Sequence, residues 1–419
     1  MRAGAIDVHP MPSRSFVLLS SLYAAQGLPF GFFTLALPVL MREAGWSLTA
    51  IGLLQLLAVP WLLKFLWAPW VDHHGARRTW LLGLQGCSVL AALLLAALDL
   101  RTPNQALLAA VLVFNLLAAT QDIVTDGLAV RMLAARERGL ANAIQVGAYR
   151  LGMILGGGGL LWLWARTDAQ LVFLVMAALL ALSTWPVWRM REPDRVTDLE
   201  RGCADRSAPT TAQLALGWWH RALAPGMLTC AALVFCFRFG DQMVSSLITP
   251  FVSDQGVSKE TIALMKGAVG SGASLLGAAL GGALMVRVSR RNAMLWTGLG
   301  QSITFALYVV AALGWGGMPL LWWATVAEGV VGTMATVALF ALMMDASDPA
   351  HAGTDFTLLA SVVVGVGSLG GIAGGVVGDA WGYVWAFGIG TTLSALGCIA
   401  LVRWLDRRPT HARVAQAWR

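Results

Sequence analysis

Residues 115–159 read NLLAATQDIVTDGLAVRMLAARERGLANAIQVGAYRLGMILGGGG. An apolar run ends at a short basic turn, Arg131 to Arg138, and a second apolar run follows it. Both runs hold charge in their interior: Asp122 and Asp126 before the turn, Arg150 after it. Two acidic residues four apart share one helix face, and Asn115 lies on that face about two turns away. Asp122 is nine residues from Arg131, about 13 Å into its helix, and Arg150 is twelve from Arg138, about 18 Å into the next. Charge at such depth in a lipid-crossing helix is costly, so it faces a cavity or a partner and marks a functional site.

The rest of the chain has the composition of a membrane protein. Of its 419 residues 58% are hydrophobic and only 12% charged, with a mean hydropathy of +0.69, against roughly 25% charged in soluble domains. Runs of about 20 apolar residues can cross a bilayer, and twelve are expected: 16–40, 48–70, 79–99, 104–130, 139–163, 170–188, 226–250, 260–286, 292–313, 318–344, 353–378 and 382–403. The net charge of +7 comes from 26 Arg and 3 Lys. With the N-terminus inside, cytoplasmic segments hold 21 basic residues and the opposite loops hold four: Arg42, Arg101, Arg166 and Lys259. That asymmetry predicts both termini in the cytoplasm. It makes the basic surplus a topology signal, and no nucleic-acid partner is expected.

No cleavable signal peptide is expected, because the first apolar run is span-length and lacks a small-residue cleavage site. The five cysteines are scattered, four of them in spans, and form neither a disulfide framework nor a zinc spacing. All six histidines lie outside the spans. No metal site, cofactor, catalytic residue or enzymatic activity is expected from such a set.

One long polar break, residues 189–225, separates a six-span stretch (1–188) from a second one (226–419). The two stretches repeat. Pro38 and Gly45-Trp-Ser47 with Ile51 recur as Pro250 and Gly256-Val-Ser258 with Ile262. The turn Asp72-His-His-Gly-Ala-Arg77-Arg78 after the second span has a counterpart, Arg287-Val-Ser-Arg290-Arg291, after the eighth. A parallel repeat of six helices around a cytoplasmic linker predicts an all-α membrane protein of the major facilitator architecture, with a midplane site between two rocking halves. Glycine clusters in the fifth span (Gly152, Gly156 to Gly159) and the eleventh (Gly365 to Gly375) fit either sliding helices or tight static packing.

The charges inside the spans define the candidate site. Arg150 is a candidate bidentate ligand for an anionic substrate, and a permanent pair with Asp122 is the alternative. Aligning Gly139 with Gly353 places Val364 opposite Arg150 and Thr336 opposite Asp122, so this pair belongs to the first half alone. Asp126 either joins proton coupling or pairs with the turn arginines. Arg238 and Asp241, three apart in the seventh span, serve substrate or form an intrahelical pair. Glu328, about 15 Å into the tenth span with no basic residue in that helix, is a candidate proton carrier. Lys64 and Lys266 either offer a cation to an anionic substrate, with Lys266 the substrate-binding candidate, or lie near enough to span ends to snorkel. Asp355, just inside the eleventh span, either caps that helix or faces the cavity. Asp72, Arg77 and Arg78 are expected at the gate, at the mouth of the bundle. The tryptophans Trp61, Trp67, Trp296, Trp322 and Trp323 fit an interfacial belt or packing better than ligand stacking.

At LKFLWAPWVD (63–72), ATQDIVTDGLAVRML (119–133), ERGLANAIQVGAYRLGMILGGGG (137–159) and the segment 352–383, the chain closely resembles the AmpG-like permeases of the major facilitator superfamily. The resemblance covers essentially the whole chain. It implies an inner-membrane, proton-driven importer and adds Tyr149, within the YRLGM element, to the substrate-binding candidates. Muropeptide permeases of this family carry two extra helices, which this chain lacks. In length and in its opening, SLYAAQGLPFGFFTLALPVLMREAG, it is more similar to the short branch of RhtX/FptX-type importers. That branch implies an anionic ferric siderophore, pyochelin-like, as substrate. A muropeptide or another anionic metabolite is the alternative.

Overall fold

The computed structural model describes residues 13–37, 41, 59–97, 105–133, 138–190, 211–408 and 412–418. Among them, ten helical stretches are long and apolar enough to cross a membrane. The last, 349–407, is 59 residues long and breaks at Gly382, whose φ of 81° is left-handed. It therefore holds both the eleventh and twelfth crossings. The first half of the expected second span, 48–58, lies outside the described residues.

The first half comprises α1 (Ser13–Gly31), α2 (Val59–Leu63), α3 (Ala68–His73), α4 (Arg77–Ala97), α5 (Gln105–Met132), α6 (Arg138–Met153), α7 (Leu160–Trp164) and α8 (Ala169–Trp188). A helix in the polar break, α9 (Thr211–Ala222), leads to the second half. That half comprises α10 (Pro225–Asp254), α11 (Lys259–Ile262), α12 (Gly270–Arg287), α13 (Arg290–Ala312), α14 (Gly317–Ala346), α15 (Ala352–Arg407) and α16 (Ala412–Trp418). The fifth span thus runs through α6 and α7, and the eleventh and twelfth both lie in α15.

The regular helices follow from long apolar runs whose ends carry the polar residues. Asp168 shows how one starts: extended itself, it accepts a bond from the Leu171 N–H and caps α8. The irregular turns are more telling. A 3-10 turn, Lys64–Leu66, interrupts the second span, and a π-helical segment, Ala263–Val269, occupies the start of the eighth. Each places a lysine, Lys64 or Lys266, at the irregularity. Two further π segments, Phe32–Ala36 and Ile154–Gly159, meet each other where the first span crosses the fifth. Such bulges in otherwise α-helical spans concentrate at functional sites.

Within each half the glycines work as static contacts. A Cβ on Gly156 would fall 1.8 Å from the Leu28 carbonyl oxygen, and one on Gly152 would fall 2.3 Å from that of Ala24. Gly27 and Gly31 answer from α1 against Tyr149 and Met153. In the second half, Gly370 and Gly374 press on Gln242 and Met243 of α10. The first and seventh spans are thereby seated on the fifth and eleventh. Sliding is not what these particular glycines permit, because backbone meets backbone. Gly158, Gly159, Gly365 and Gly375 face open space instead.

Aromatic clusters fill both halves away from the arginine-rich ends. Phe32, Phe33, Phe114 and Phe173 form one, and Phe251, Phe305, Tyr308 and Phe387 the other. Trp296, Trp323 and Trp381 are exposed on the helix surface, where a belt or lipid contact accounts for them. The halves meet through α5, α2 and α3 against α15, and through α6 against α12 and α14. This seam holds the charged residues.

Candidate functional site

Asp122, on α5, forms a buried ion pair with Lys64 of the 3-10 turn in the second span. Lys64 is 2% exposed, so its ammonium is turned inward and does not snorkel. A flexible stem can point either way, and a buried carboxylate one helix away decides the direction. Asp122 is consequently not the partner of Arg150. Arg150 is half-buried and makes no ion pair among the described residues. The alternative of a permanent Arg150–Asp122 pair is not realised.

Asp126, one turn further along α5, is 1% exposed. It accepts from the Tyr23 hydroxyl at 2.8 Å and from the Gln145 amide at 3.2 Å. Its second oxygen has no hydrogen-bond partner. It does not reach the turn arginines, because its face of α5 is directed into the helix junction with α1 and α6. Gln26 of α1 donates to Thr125 at 3.4 Å beside it.

Asn115, two turns before Asp122, has both ends of its amide engaged. Its nitrogen donates to the Val111 carbonyl at 3.0 Å, and its oxygen accepts the Trp61 indole N–H at 3.0 Å. Asn115 therefore orients Trp61, with one amide N–H and one carbonyl lone pair still unspent. Trp61, Phe30 and Tyr149 form a three-ring corner with centroids 5.7–6.5 Å apart. The Lys64 ammonium lies 5.5 Å from the Trp61 ring centroid. A belt reading of Trp61 misses this, since only the fold brings the first, second and fifth spans together at one depth.

In the second half Glu328 of α14 is not alone. Lys266, in the π segment of the eighth span, lies 3.6 Å from it and 5.9 Å from the Tyr308 ring centroid. The expectation of an unpaired Glu328 is corrected: its cation comes from another span, which inspection of a single helix does not reveal. Lys266 is held by that carboxylate and does not snorkel to the surface. The two halves thus each carry a lysine–carboxylate pair between equivalent spans, second with fourth and eighth with tenth. Arg238 and Asp241 form the intrahelical pair at 3.4 Å, and Asp241 also accepts from Ser394 at 2.6 Å.

At the arginine-rich end the halves are closed on one another. Asp72, just beyond the second span, pairs with Arg77 and, at 3.2 Å, with Arg131. Its other oxygen accepts from the backbone N–H and the hydroxyl of Thr354 at 3.0 and 3.1 Å, across the seam. Burial pushes the Asp72 carboxyl up, but Arg77, Arg131 and the Thr354 N–H outweigh it and hold the pKa below its ordinary value. Gly127 and Gly353 permit the approach, because a Cβ on either would fall 3.1 Å from the opposing chain. Arg78 donates to the Trp188 carbonyl at 2.8 Å, within the first half.

Three arginines grip the turn between the tenth and eleventh spans. Arg131 donates to the Pro349 carbonyl at 2.8 Å, and Arg413 of α16 to that of Ser347 at 2.9 Å. Arg221 of α9 holds Asp355 with two bonds of 3.2 and 2.7 Å, and Asp355 also accepts the Asp348 N–H at 3.1 Å, just ahead of its own helix, so it both caps that start and anchors α9. The counterpart turn in the second half is tied down too. Arg290 pairs with Asp345 at 3.0 Å and Arg291 with Asp406 at 2.7 Å. None of these partners is legible from spacing in the sequence.

The arrangement is a helical carrier with charged groups at mid-depth on both sides of a seam. The chain is 29% identical over 412 residues to the anhydromuropeptide permease of Escherichia coli (strain K12), covering 93% of this chain and 80% of that one. It is 26% identical over 349 residues to the putative transporter AmpG 4 of Rickettsia conorii, covering 80% and 83%. Its fold matches the solved structure of FucP, a major facilitator transporter in the outward conformation, with a TM-score of 0.73 at 13% identity over 93% and 98% of the two chains. The model of the Major Facilitator Superfamily matches residues 19–369 and again 230–418. With an all-α architecture among the described residues and its likeness to AmpG-type permeases, the chain belongs to the major facilitator superfamily and is a transporter, not an enzyme.

Proposed function

We propose that this protein imports an anionic muropeptide across the bacterial inner membrane by alternating access, coupled to proton entry. The arginine-rich end is then the cytoplasmic one, and the closed seam at Asp72 and Thr354 is the state that receives cargo from the periplasm. The observation that carries this reading is Arg150, a half-buried guanidinium at mid-depth whose expected partner Asp122 is already taken by Lys64. A cation left over in that setting awaits an anion. Similarity to a permease named for anhydromuropeptides favours that cargo over the ferric siderophore expected first from the sequence, which these relatives do not support.

Proton coupling in this scheme belongs to Asp126 more than to Glu328. Glu328 is neutralised by Lys266, whereas Asp126 has only neutral donors, Tyr23 and Gln145, with Asp122 one turn away committed to Lys64. A carboxyl so placed can take up or release a proton without breaking an ion pair. Arg238, Asp241 and Lys266 line the opposite half as the remaining substrate-side candidates.

The test is uptake of radiolabelled anhydromuropeptide into inverted and right-side-out membrane vesicles with an imposed pH gradient. Arg150→Ala is expected to lower uptake by about tenfold or more, the loss of one charge-assisted contact, with Arg150→Lys intermediate. Asp126→Asn is expected to keep exchange of internal for external substrate and to abolish gradient-driven accumulation. Uptake of a ferric siderophore and indifference to muropeptide would return the function to iron acquisition.

A further inference from the structure

We propose that Phe30, Trp61 and Tyr149 form a stacking subsite for a sugar ring, held in shape by Asn115; this deepens the muropeptide reading and rests on it. The corner stands out from the aromatic residues around it. Phe32, Phe33 and Phe114, the neighbouring rings of the first half, are buried in the core, and Trp162, Trp185 and Trp188 are exposed on outer helix surfaces. Phe30, Trp61 and Tyr149 are each half-buried, and Trp61 and Tyr149 lie on spans that pack along the seam.

The rings meet edge to face or tilted, with interplanar angles of 75° between Phe30 and Trp61, 83° between Trp61 and Tyr149, and 46° between Phe30 and Tyr149. The result is a set of differently directed aromatic surfaces and not a flat stack. Trp61 has no polar atom left to offer, because its indole N–H is spent on Asn115 at 3.0 Å. It presents carbon alone. Tyr149 differs, since its hydroxyl has no hydrogen-bond partner among the described residues. Arg150 follows it in the chain, likewise unpaired.

Carbon faces beside one free hydroxyl and one free guanidinium are the complement of a pyranose with an acidic substituent. The axial C–H groups of the sugar lie on the rings, a sugar hydroxyl bonds the phenol, and the anionic arm reaches the arginine. A pocket of this kind is apolar with few, well-placed polar groups. A peptide alone satisfies the guanidinium but leaves the rings uncovered.

The experiment is equilibrium binding to the purified full-length protein in lipid nanodiscs, with three probes: an intact anhydromuropeptide, its peptide-free sugar, and its sugar-free peptide. Trp61→Ala is expected to weaken the intact compound and the sugar about tenfold while leaving the peptide unchanged. Trp61→Phe, which keeps a ring, is expected to stay within about threefold of wild type. Asn115→Leu, which removes the acceptor that positions the indole, is expected to weaken the sugar but not the peptide. Equal losses for sugar and peptide, or no loss for the sugar, would overturn the subsite while leaving muropeptide transport standing. Displacement of the sugar by a ferric salicylate-type chelate with the same dependence on Trp61 would overturn its assignment to carbohydrate. Wild-type protein that binds none of the three probes would overturn the functional reading and the subsite with it.

Discussion

Lys64 and Asp122 neutralise each other in a place where neither finds water. Removing one partner of a buried pair leaves an uncompensated charge, and Lys64→Met alone is expected to cost about 3–5 kcal/mol of stability. The double variant Lys64→Met with Asp122→Asn is expected to recover most of that loss, read as the melting temperature in detergent. Asp72 obeys the opposite arithmetic of pH. Its folded pKa lies below the ordinary value, so its contribution to closing the seam is complete above the usual carboxylate range and is lost only as pH falls through the lowered value. Transport that varies between neutral and mildly acidic pH must then report another group. At this scale the sequence shows which charged residues lie within the spans but not their partners. Asp122 and Arg150 are at similar depths on consecutive spans, which makes their pairing geometrically open, yet the lysine of the second span takes the carboxylate. Glu328 was readable as deep and acidic, and unreadable as paired, because Lys266 arrives from a separate helix.

Between elements, the glycines separate into two populations that the sequence cannot distinguish. Gly156 and Gly158 are two residues apart in one π-helical segment. A Cβ on the first collides with the Leu28 carbonyl, and a Cβ on the second meets nothing within 4 Å. Gly156→Ala is therefore expected to force α1 away from the fifth span at a cost of about 1–3 kcal/mol, and Gly158→Ala to be tolerated. Parallel thermal melts of the two variants check the contrast. The spans themselves were legible from apolar run length, and so was the turn at Asp72 with its two arginines. What escaped was backbone irregularity. The 3-10 turn at Lys64 and the π segment at Lys266 have no simple signature in composition, since both arise where a polar side chain must be carried round to a partner on an adjacent helix.

Over the whole molecule, closure at the arginine-rich end draws on groups from both halves and from both non-spanning helices. Asp72 meets Thr354 across the seam, while Arg131, Arg221 and Arg413 hold the turn that leads into the eleventh span. Asp72→Asn keeps the shape and removes the charge, and is expected to raise labelling of a cysteine placed at Thr357, buried one turn beyond Gly353, by a membrane-impermeant reagent applied from that side. Unchanged labelling would mean that the seam is held by packing alone. The lone arginine at mid-depth has a further consequence, in terms of membrane voltage. The pairs Lys64–Asp122, Lys266–Glu328 and Arg238–Asp241 are each neutral, so the electrical balance of the moving interior rests on Arg150 and Asp126. With Asp126 ionised and no cargo, their sum is zero; with Asp126 protonated and a monoanion on Arg150, it is zero again. Such a cycle crosses the field without doing electrical work. A dianionic cargo would leave one negative charge to be carried inward against an inside-negative potential, at about 2.3 kcal/mol per 100 mV. Clamping the potential to zero is thus expected to leave monoanion accumulation unchanged and to increase that of a dianion.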